Sequence, residues 1–188
     1  MDLLARNSKA KIDSSLITLL DYNFKPCIFC GECANNSTCP YDKDFNKIFQ
    51  LIKETDGLFL VVPHYSIIPA KLTIMMEKMN QFYYTAWIKN PKIDFSLKGK
   101  KVAVIGHGGG DERSFDHYRT MILGPLNYLF SSLQFNVIGL PKQTPPLGIV
   151  FGVTGFSETK ESIFPDMVHD WVKTEQILEP LVVNYLSK

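Results

Sequence analysis

The chain has 188 residues, of which 45% are apolar, and this is enough to bury one sizeable hydrophobic core. Its 20 basic and 19 acidic residues leave a formal net charge of +1, without the basic excess expected of a nucleic-acid-binding protein. The apolar runs are too short to cross a bilayer, and residues 1–20 lack the apolar core of a secretory signal peptide. We therefore expect a single domain over residues 1–188, in a cytoplasmic protein that binds neither nucleic acid nor membrane.

The first predicted element is a short strand over residues 15–20. Its sequence, Ser-Leu-Ile-Thr-Leu-Leu, is mostly apolar and is followed by the turn-forming residues Asp21 and Asn23. A strand here would lead directly into a cysteine-rich segment.

That segment, the cysteine loop of residues 26–41, contains all four cysteines of the chain, which are Cys27, Cys30, Cys33 and Cys39. The first three form a CxxCxxC pattern, whose thiolates can wrap one side of a cube of iron and sulfide. The fourth thiolate can close the cage. The spacing therefore favours a [4Fe-4S] cluster.

Two other interpretations of the cysteine loop stay open. Structural zinc sites usually take their ligands as two separated pairs, and a third cysteine directly after a CxxC pair would crowd a tetrahedral ion. Disulfides or unmetallated thiols are the remaining possibility. Disulfides are disfavoured because a chain without a signal peptide is expected in a reducing compartment.

Helices and strands then alternate along the chain. Apolar residues at helical spacing predict a helix over residues 44–54, capped by Asp42 or Asp44, and a second helix over residues 69–87 that begins at a proline. Between them, the continuous apolar run of residues 57–62 predicts a strand that is covered on both faces.

The second half of the chain repeats this order. It is predicted to contain a strand over residues 101–105, a helix over 115–133, a strand over 135–139, a short strand or lid over 148–153, and a helix over 162–186 that is interrupted near Pro180. Strict alternation of strands and helices predicts the α/β class, with an open parallel sheet between two layers of helices.

Two loops at predicted strand ends are candidates for a ligand site, because ligands of open α/β sheets bind beyond the carboxyl ends of the strands. The first loop offers a planar side chain and backbone amides, and consists of Pro63, His64, Tyr65 and Ser66. The second lets a flat ligand approach the main chain, through Gly106, Gly108, Gly109 and Gly110.

Both loops also have structural interpretations. Tyr65 can be a half-buried aromatic residue that closes the core, and the glycines can form a flexible turn. The glycine loop does not match the dinucleotide-binding fingerprint, because Asp111 stands where the third glycine belongs.

Taken together, three segments resemble the iron-sulfur flavoproteins of the NADPH-dependent FMN reductase superfamily. They are residues 19–33 with the first three cysteines, Cys39, and residues 56–65 with the strand and the Pro-His-Tyr sequence. The resemblance covers roughly residues 15–140. It implies a flavodoxin-like fold, FMN at the strand ends, a [4Fe-4S] cluster close to the flavin, and a homo-oligomeric assembly.

The resemblance also assigns roles to residues. It implies that the four cysteines are the cluster ligands, that residues 63–66 lie beside the isoalloxazine ring, and that residues 106–110 form a second flavin-contacting loop. In one respect the sequence departs from the family, whose members begin with a strand and a loop that holds the FMN phosphate at a helix N-terminus. Residues 1–14 contain neither, so we expect the first strand and the phosphate anchor to be absent.

The function implied is that of an oxidoreductase which passes electrons between FMN and the cluster, with NAD(P)H or a ferredoxin-type carrier as partner. No side chain need act as an acid or a base. The alternative is a non-enzymatic module that binds a cluster or zinc and has lost flavin binding. A third possibility is a flavin reductase whose cysteines are structural.

Overall fold

A computed structural model of the chain describes residues 2–8, 12–34, 37–64, 67–110, 112–152, 155–156, 167–168 and 171–187. The helices in these ranges are α1 (Asp2–Asn7), α2 (Lys43–Glu54), α3 (Ala70–Lys89), α4 (Phe115–Tyr118), α5 (Gly124–Ser132) and α6 (Trp171–Ser187). The strands are β1 (Gly57–Pro63), β2 (Lys101–His107), β3 (Asn136–Val137), β4 (Ile149–Phe151), β5 (Gly155–Phe156) and β6 (Met167–Val168). None of the described helices combines the length and apolar character needed to span a membrane.

The main sheet is parallel and is built around β2. β1 pairs with β2 along its whole length, from Gly57 opposite Lys101 to Pro63 opposite His107. The other edge of β2 pairs with β3 near its start and with β4 near its end. β5 and β6 form a separate antiparallel pair. The carboxyl ends of β1 and β2 therefore lie side by side.

Helices cover both faces of this sheet, because side chains along a strand alternate between the faces. Val102 and Val104 pack into the larger core with apolar residues of α2, α3 and α5. Ala103 and Ile105 point the other way, into a smaller core to which α6 contributes Leu181. The α/β class and the flavodoxin-like arrangement of a parallel sheet between helices are thus confirmed.

The two helices before β2 have nearly the predicted bounds. Asp42 caps α2, and its carboxylate accepts a hydrogen bond from the Phe45 N–H at 2.9 Å. One stripe of α2 is buried, and so is one stripe of α3, which consists of Leu72, Met75, Met76, Lys78, Met79, Phe82 and Thr85. These two stripes supply much of the larger core.

The predicted helix over residues 115–133 is one helical segment with an irregular centre. α4 continues into a π-helical turn, Arg119–Leu123, and then into α5. Pro125, in the first turn of α5, has no N–H for the regular helical hydrogen bond. The Gly124 N–H bonds the Arg119 carbonyl, five residues earlier rather than four. The wider turn accommodates the proline without ending the helix.

The predicted strand over residues 15–20 is wrong. Residues 12–18 have no regular secondary structure, and Leu19–Asp21 form a 3₁₀ turn. Leu16 is 90% exposed and Leu20 is 78% exposed, so much of this apolar run lies outside the core. A strand requires a neighbour for its backbone hydrogen bonds, and within the described residues none pairs with this segment.

The end of the chain also differs in part from expectation. β3 is shorter than the strand predicted over residues 135–139, whereas β4 confirms the short strand predicted within 148–153. α6 begins at Trp171 rather than at residue 162, and Met167–Val168 form β6 instead. The predicted interruption near Pro180 is wrong, because α6 continues through that residue. Residues 157–166 lie outside the described part of the chain.

Candidate functional site

All four cysteines line one pocket, which is closed on one side by Lys78, Gln81 and Phe82 of α3. Their exposure differs around this pocket. Cys33 is buried, Cys27 and Cys39 are partly buried, and Cys30 is exposed, and all four are free thiols. The structure therefore brings the four predicted metal ligands to a single place.

The cysteine loop reaches this shape through tight turns. Gly31 has a φ of +75°, a left-handed conformation that costs glycine little, and Phe29 has a φ of 51°. A 3₁₀ turn, Glu32–Ala34, follows and contains the buried Cys33. The backbone therefore turns tightly between the second and third cysteines.

The first turn of α2 holds both ends of the cysteine loop. Asp42 accepts a hydrogen bond from the backbone N–H of Lys25 at 2.8 Å. The side chain of Asn46 accepts from the Cys39 N–H at 2.8 Å and donates to the Cys39 carbonyl at 2.7 Å. These bonds fix the backbone beside the first and last cysteines.

α3 holds the part of the loop that contains the first three cysteines. The Glu77 carboxylate accepts a hydrogen bond from the Cys27 N–H at 3.2 Å, and the Lys89 ammonium donates to the Ala34 carbonyl at 2.9 Å. The Cys33 sulfur lies 3.9 Å from the Thr85 hydroxyl. Because α2 and α3 pack into the larger core, the position of the pocket is fixed by the fold.

A buried ion pair lies beside the pocket. The Lys78 ammonium is 3.2 Å from the Asp42 carboxylate, with the side chains 3% and 1% exposed, and it lies 3.4 Å from the Cys39 sulfur. Burial alone lowers the pKa of Lys78, but the hydrogen bond to Asp42 and the negative charges of Cys39 and Asp42 outweigh burial. The pKa of Lys78 is therefore raised, and the ammonium is charged at neutral pH.

Sequence reasoning missed Lys78. The available signal was a lysine placed within the apolar stripe of α3, where only a paired charge is tolerated.

The pKa of the Cys33 thiol is also shifted. Burial raises it, although the hydrogen bond with Thr85 acts in the opposite direction. A metal must displace the thiol proton on binding, so this cysteine is expected to bind metal more readily as the pH rises.

The donor set of the pocket fits a soft metal centre. Four thiols with a buried ammonium beside them suit an anionic thiolate-ligated group such as a [4Fe-4S] cluster. In the ranges that the structure describes, no three or more His, Cys, Asp or Glu side chains lie in positions that could hold a single metal ion. The fit therefore rests on the chemistry of the four thiols. They line one pocket, but their sulfur atoms are not gathered around a single metal position.

The other predicted site residues lie where β1 and β2 end. Pro63 is the last residue of β1, and the His64 N–H donates to the His107 carbonyl at 2.6 Å. Gly106 is a buried residue within β2, and the loop begins at Gly108. Tyr65 and Ser66 lie outside the described residues.

Tyr118 packs directly against the glycine loop. A Cβ at Gly108 would lie 2.3 Å from the Tyr118 ring, and the Gly110 N–H donates to the Tyr118 hydroxyl at 2.8 Å. A Cβ at Gly110 would lie 2.4 Å from the Ser114 hydroxyl. A side chain at either position would force Tyr118 or Ser114 to move, which favours the structural interpretation of these glycines. Gly109 is exposed, and flavin contact by this loop stays a prediction.

His64 lies at the same corner. Its ring centroid is 4.7 Å from that of Tyr118 and 5.2 Å from that of His117. Its Nδ1 atom is buried and has no hydrogen-bond partner among the described residues. An unpaired buried ring nitrogen is energetically costly, so a polar group bound here would be stabilised by it.

Comparison with known proteins matches the chain to one protein family. Residues 1–123 match the sequence profile of the NADPH-dependent FMN reductase family. An iron-sulfur flavoprotein of Methanocaldococcus jannaschii is 26% identical over 117 residues, which make up 60% of this chain and 56% of that protein. An iron-sulfur flavoprotein of Methanosarcina thermophila is 25% identical over 122 residues, which make up 59% of this chain and 60% of that protein.

The chain matches little more than half the length of these curated relatives. The family profile, by contrast, matches well over half of the chain and includes the cysteine loop, β1 and β2. The chain therefore belongs to the NADPH-dependent FMN reductase family.

Proposed function

We propose that this protein is an electron-transfer flavoprotein with two redox centres. In this proposal Cys27, Cys30, Cys33 and Cys39 hold a [4Fe-4S] cluster, and FMN binds at the carboxyl ends of β1 and β2. The observation that carries the proposal is the single pocket lined by all four cysteines. The two relatives named as iron-sulfur flavoproteins support it.

When bound, the cluster supplies single-electron transfer and the flavin supplies two-electron chemistry. The residues of the chain position these groups and exclude water. Asn46 and Glu77 hold the backbone at Cys39 and Cys27, so the main chain beside these two ligands would be fixed before any metal arrives. The buried ring of Phe82 closes one wall of the pocket to solvent.

For FMN, the proposal assigns Pro63, His64, Tyr65 and Ser66 to the segment beside the ring, and Gly106, Gly108, Gly109 and Gly110 to the second contact. The Nδ1 atom of His64, which has no hydrogen-bond partner in the described part of the chain, supports a polar ligand group at this corner. The electrons would be exchanged with NAD(P)H or with a ferredoxin-type carrier, by a homo-oligomer.

A module that binds a cluster or zinc without flavin is the second candidate. Tyr118 favours it, because the ring of this residue covers the side of Gly108 to which a Cβ would point. The two candidates differ in whether flavin is present, and the second also allows zinc in place of the cluster.

Analysis of the cofactors in anaerobically purified protein separates the candidates. The leading proposal predicts about four iron and four sulfide ions per chain, together with FMN, and a broad visible absorption that bleaches on reduction. Iron without flavin would support the second candidate. Zinc in place of iron would contradict the flavoprotein and also the form of the second candidate that binds an iron-sulfur cluster.

A matched pair of variants tests the role of the thiols. Cys30→Ala is expected to lose most of the iron, because one of four ligands is removed, while Glu32→Gln in the same turn is expected to keep it. If Cys30→Ala retained iron and reduced flavin at the normal rate, the cysteines would be structural and the proposal would fail.

A further inference from the structure

We infer that Lys78 raises the reduction potential of the metal cluster by holding a fixed positive charge against one of its sulfur ligands. The inference deepens the proposed function and rests on it. Its basis is the 3.4 Å distance between the Lys78 ammonium and the Cys39 sulfur, at a side chain only 3% exposed.

The ammonium of Lys78 is held in place from several sides. Its helix is anchored in the larger core by Met75, Met79 and other members of the buried stripe of α3. Asp42 lies 3.2 Å from the ammonium, and the Phe45 ring centroid lies 5.5 Å from it. The charge is therefore expected to stay beside Cys39, unlike the charge of a flexible surface lysine.

Burial makes this charge effective. Charges inside a protein interact more strongly than exposed charges, which water and salt screen. Reduction by an external one-electron donor adds one negative charge to a cluster and its thiolates. A nearby positive charge stabilises the reduced state more than the oxidised state, so the potential rises.

Two carboxylates near the pocket act against Lys78. Asp42 is its partner, but this carboxylate also accepts hydrogen bonds from the N–H groups of Lys25 and Phe45 at the start of α2, which disperse its negative charge. Glu77 accepts a hydrogen bond from the Cys27 N–H and is more exposed than Lys78. Neither has a sulfur contact like that of the ammonium among the described contacts.

A redox titration of cluster-loaded protein tests the inference. The protein is loaded anaerobically, titrated with dithionite in the presence of mediators, and followed by electron paramagnetic resonance and visible absorption. Lys78→Gln is expected to shift the midpoint potential to a more negative value, whereas Lys78→Arg keeps the charge and is expected to remain close to the unmodified protein.

Lys98→Gln is the matched control. It removes the same charge from an ion-paired lysine, but the Lys98 side chain is 55% exposed and its partner is Asp94. We expect no measurable shift of the potential in this variant.

The double change Lys78→Gln with Asp42→Asn covers the case in which Lys78→Gln does not fold, because it leaves no unpaired buried charge. It is compared with Asp42→Asn alone, which removes the same carboxylate, and its potential is expected to be more negative than the potential of that variant.

The outcomes separate this inference from the function on which it rests. An unmodified protein that takes up no iron overturns both. A loaded cluster whose potential is the same with and without the Lys78 charge, in Lys78→Gln against the unmodified protein or in the double variant against Asp42→Asn, overturns only the role of Lys78. A shift of equal size in Lys98→Gln would also overturn it, since any lost charge would then have the same effect.

Discussion

Asp42 connects three parts of the structure through one side chain. Its carboxylate caps α2 at the Phe45 N–H, accepts a hydrogen bond from the Lys25 N–H and pairs with the Lys78 ammonium. The start of a helix, the start of the cysteine loop and the charge beside the pocket are therefore coupled. Changes at this residue are expected to affect folding and metal binding together.

Replacing Asp42 by asparagine leaves the buried ammonium of Lys78 without a counter-charge. The free energy of unfolding is expected to fall by about 3–5 kcal/mol, the usual cost of breaking a buried ion pair on one side. Urea denaturation of the full chain measures this loss. Asp94→Asn, which removes the exposed partner of Lys98, is the control and is expected to cost less than about 1 kcal/mol. Equal losses in both variants would contradict the buried pair.

Tyr185 makes stability depend on pH in the alkaline range. Burial, with a further contribution from the charge of Asp56, raises the pKa of Tyr185 to about 12. In the unfolded chain this hydroxyl ionises near pH ~10. The folded state therefore holds its proton longer, and the contribution of Tyr185 to stability is complete below about pH 10 and is lost towards about pH 12.

Tyr185→Phe is accordingly expected to flatten the decline of the unfolding free energy across this alkaline window. Urea denaturation at several pH values checks the slope. Tyr128→Phe, at a side chain that is 78% exposed, is the comparison and is expected to leave the slope unchanged. A slope that did not respond to Tyr185→Phe would show that other groups cause the decline.

At the scale of elements, β1 and α6 meet closely at the start of the strand. The Phe59 and Tyr185 ring centroids are 4.3 Å apart. A Cβ at Gly57 would lie 2.1 Å from the Tyr185 hydroxyl and 2.6 Å from the Lys101 carbonyl. The first contact could be relieved by a side-chain movement, but the second is with the backbone of β2 and could not.

Gly57→Ala is therefore expected to lower the free energy of unfolding by about 1–3 kcal/mol, the usual cost of overpacking. Gly124→Ala provides the contrast, because the nearest atom to its Cβ is the Arg119 carbonyl at 3.7 Å and its backbone is helical. There we expect a smaller loss than in Gly57→Ala, because alanine favours a helix although the following Pro125 crowds its Cβ. Thermal or urea denaturation distinguishes these results, and a harmless Gly57→Ala would contradict the close packing of β1, β2 and α6.

At the scale of the whole molecule, metal binding is linked to folding. The cysteine loop has little regular secondary structure, and α2 and α3 connect it to the larger core. A metal bound by four residues of this loop stabilises the folded state more than the unfolded state. Each kcal/mol gained should raise the thermal midpoint by about 2–4 °C for a chain of this length.

Loading with iron and sulfide under anaerobic conditions is thus expected to raise the thermal midpoint and to slow proteolysis within the cysteine loop. Removing the metal with a chelator should reverse both effects. Differential scanning calorimetry and limited proteolysis measure them, with Cys30→Ala as the control that shows neither. An identical midpoint with and without metal would show that binding is not coupled to the fold.

Local sequence was sufficient to predict those helices and strands whose sequence patterns lie within the element itself. The apolar spacing of α2 and α3, the cap at Asp42 and the apolar run of β1 depend on near neighbours in the chain. The cysteine spacing likewise predicts a metal-ligand set from local sequence alone. The predicted interruption of α6 at Pro180 was wrong because local sequence does not include the packing of this helix on the sheet. A helix interior can tolerate a lost hydrogen bond when packing on the sheet compensates, as Leu181 does in the smaller core.

Only the tertiary structure decided the features that depend on residues far apart in the sequence. The run at residues 15–20 is apolar enough for a strand, but strand formation requires a partner that local sequence cannot supply. The same holds for the ion pair of Asp42 with Lys78 beside Cys39, and for Tyr118 against Gly108. Burial and distance set the energy of each contact, and both exist only once the helices pack on the sheet.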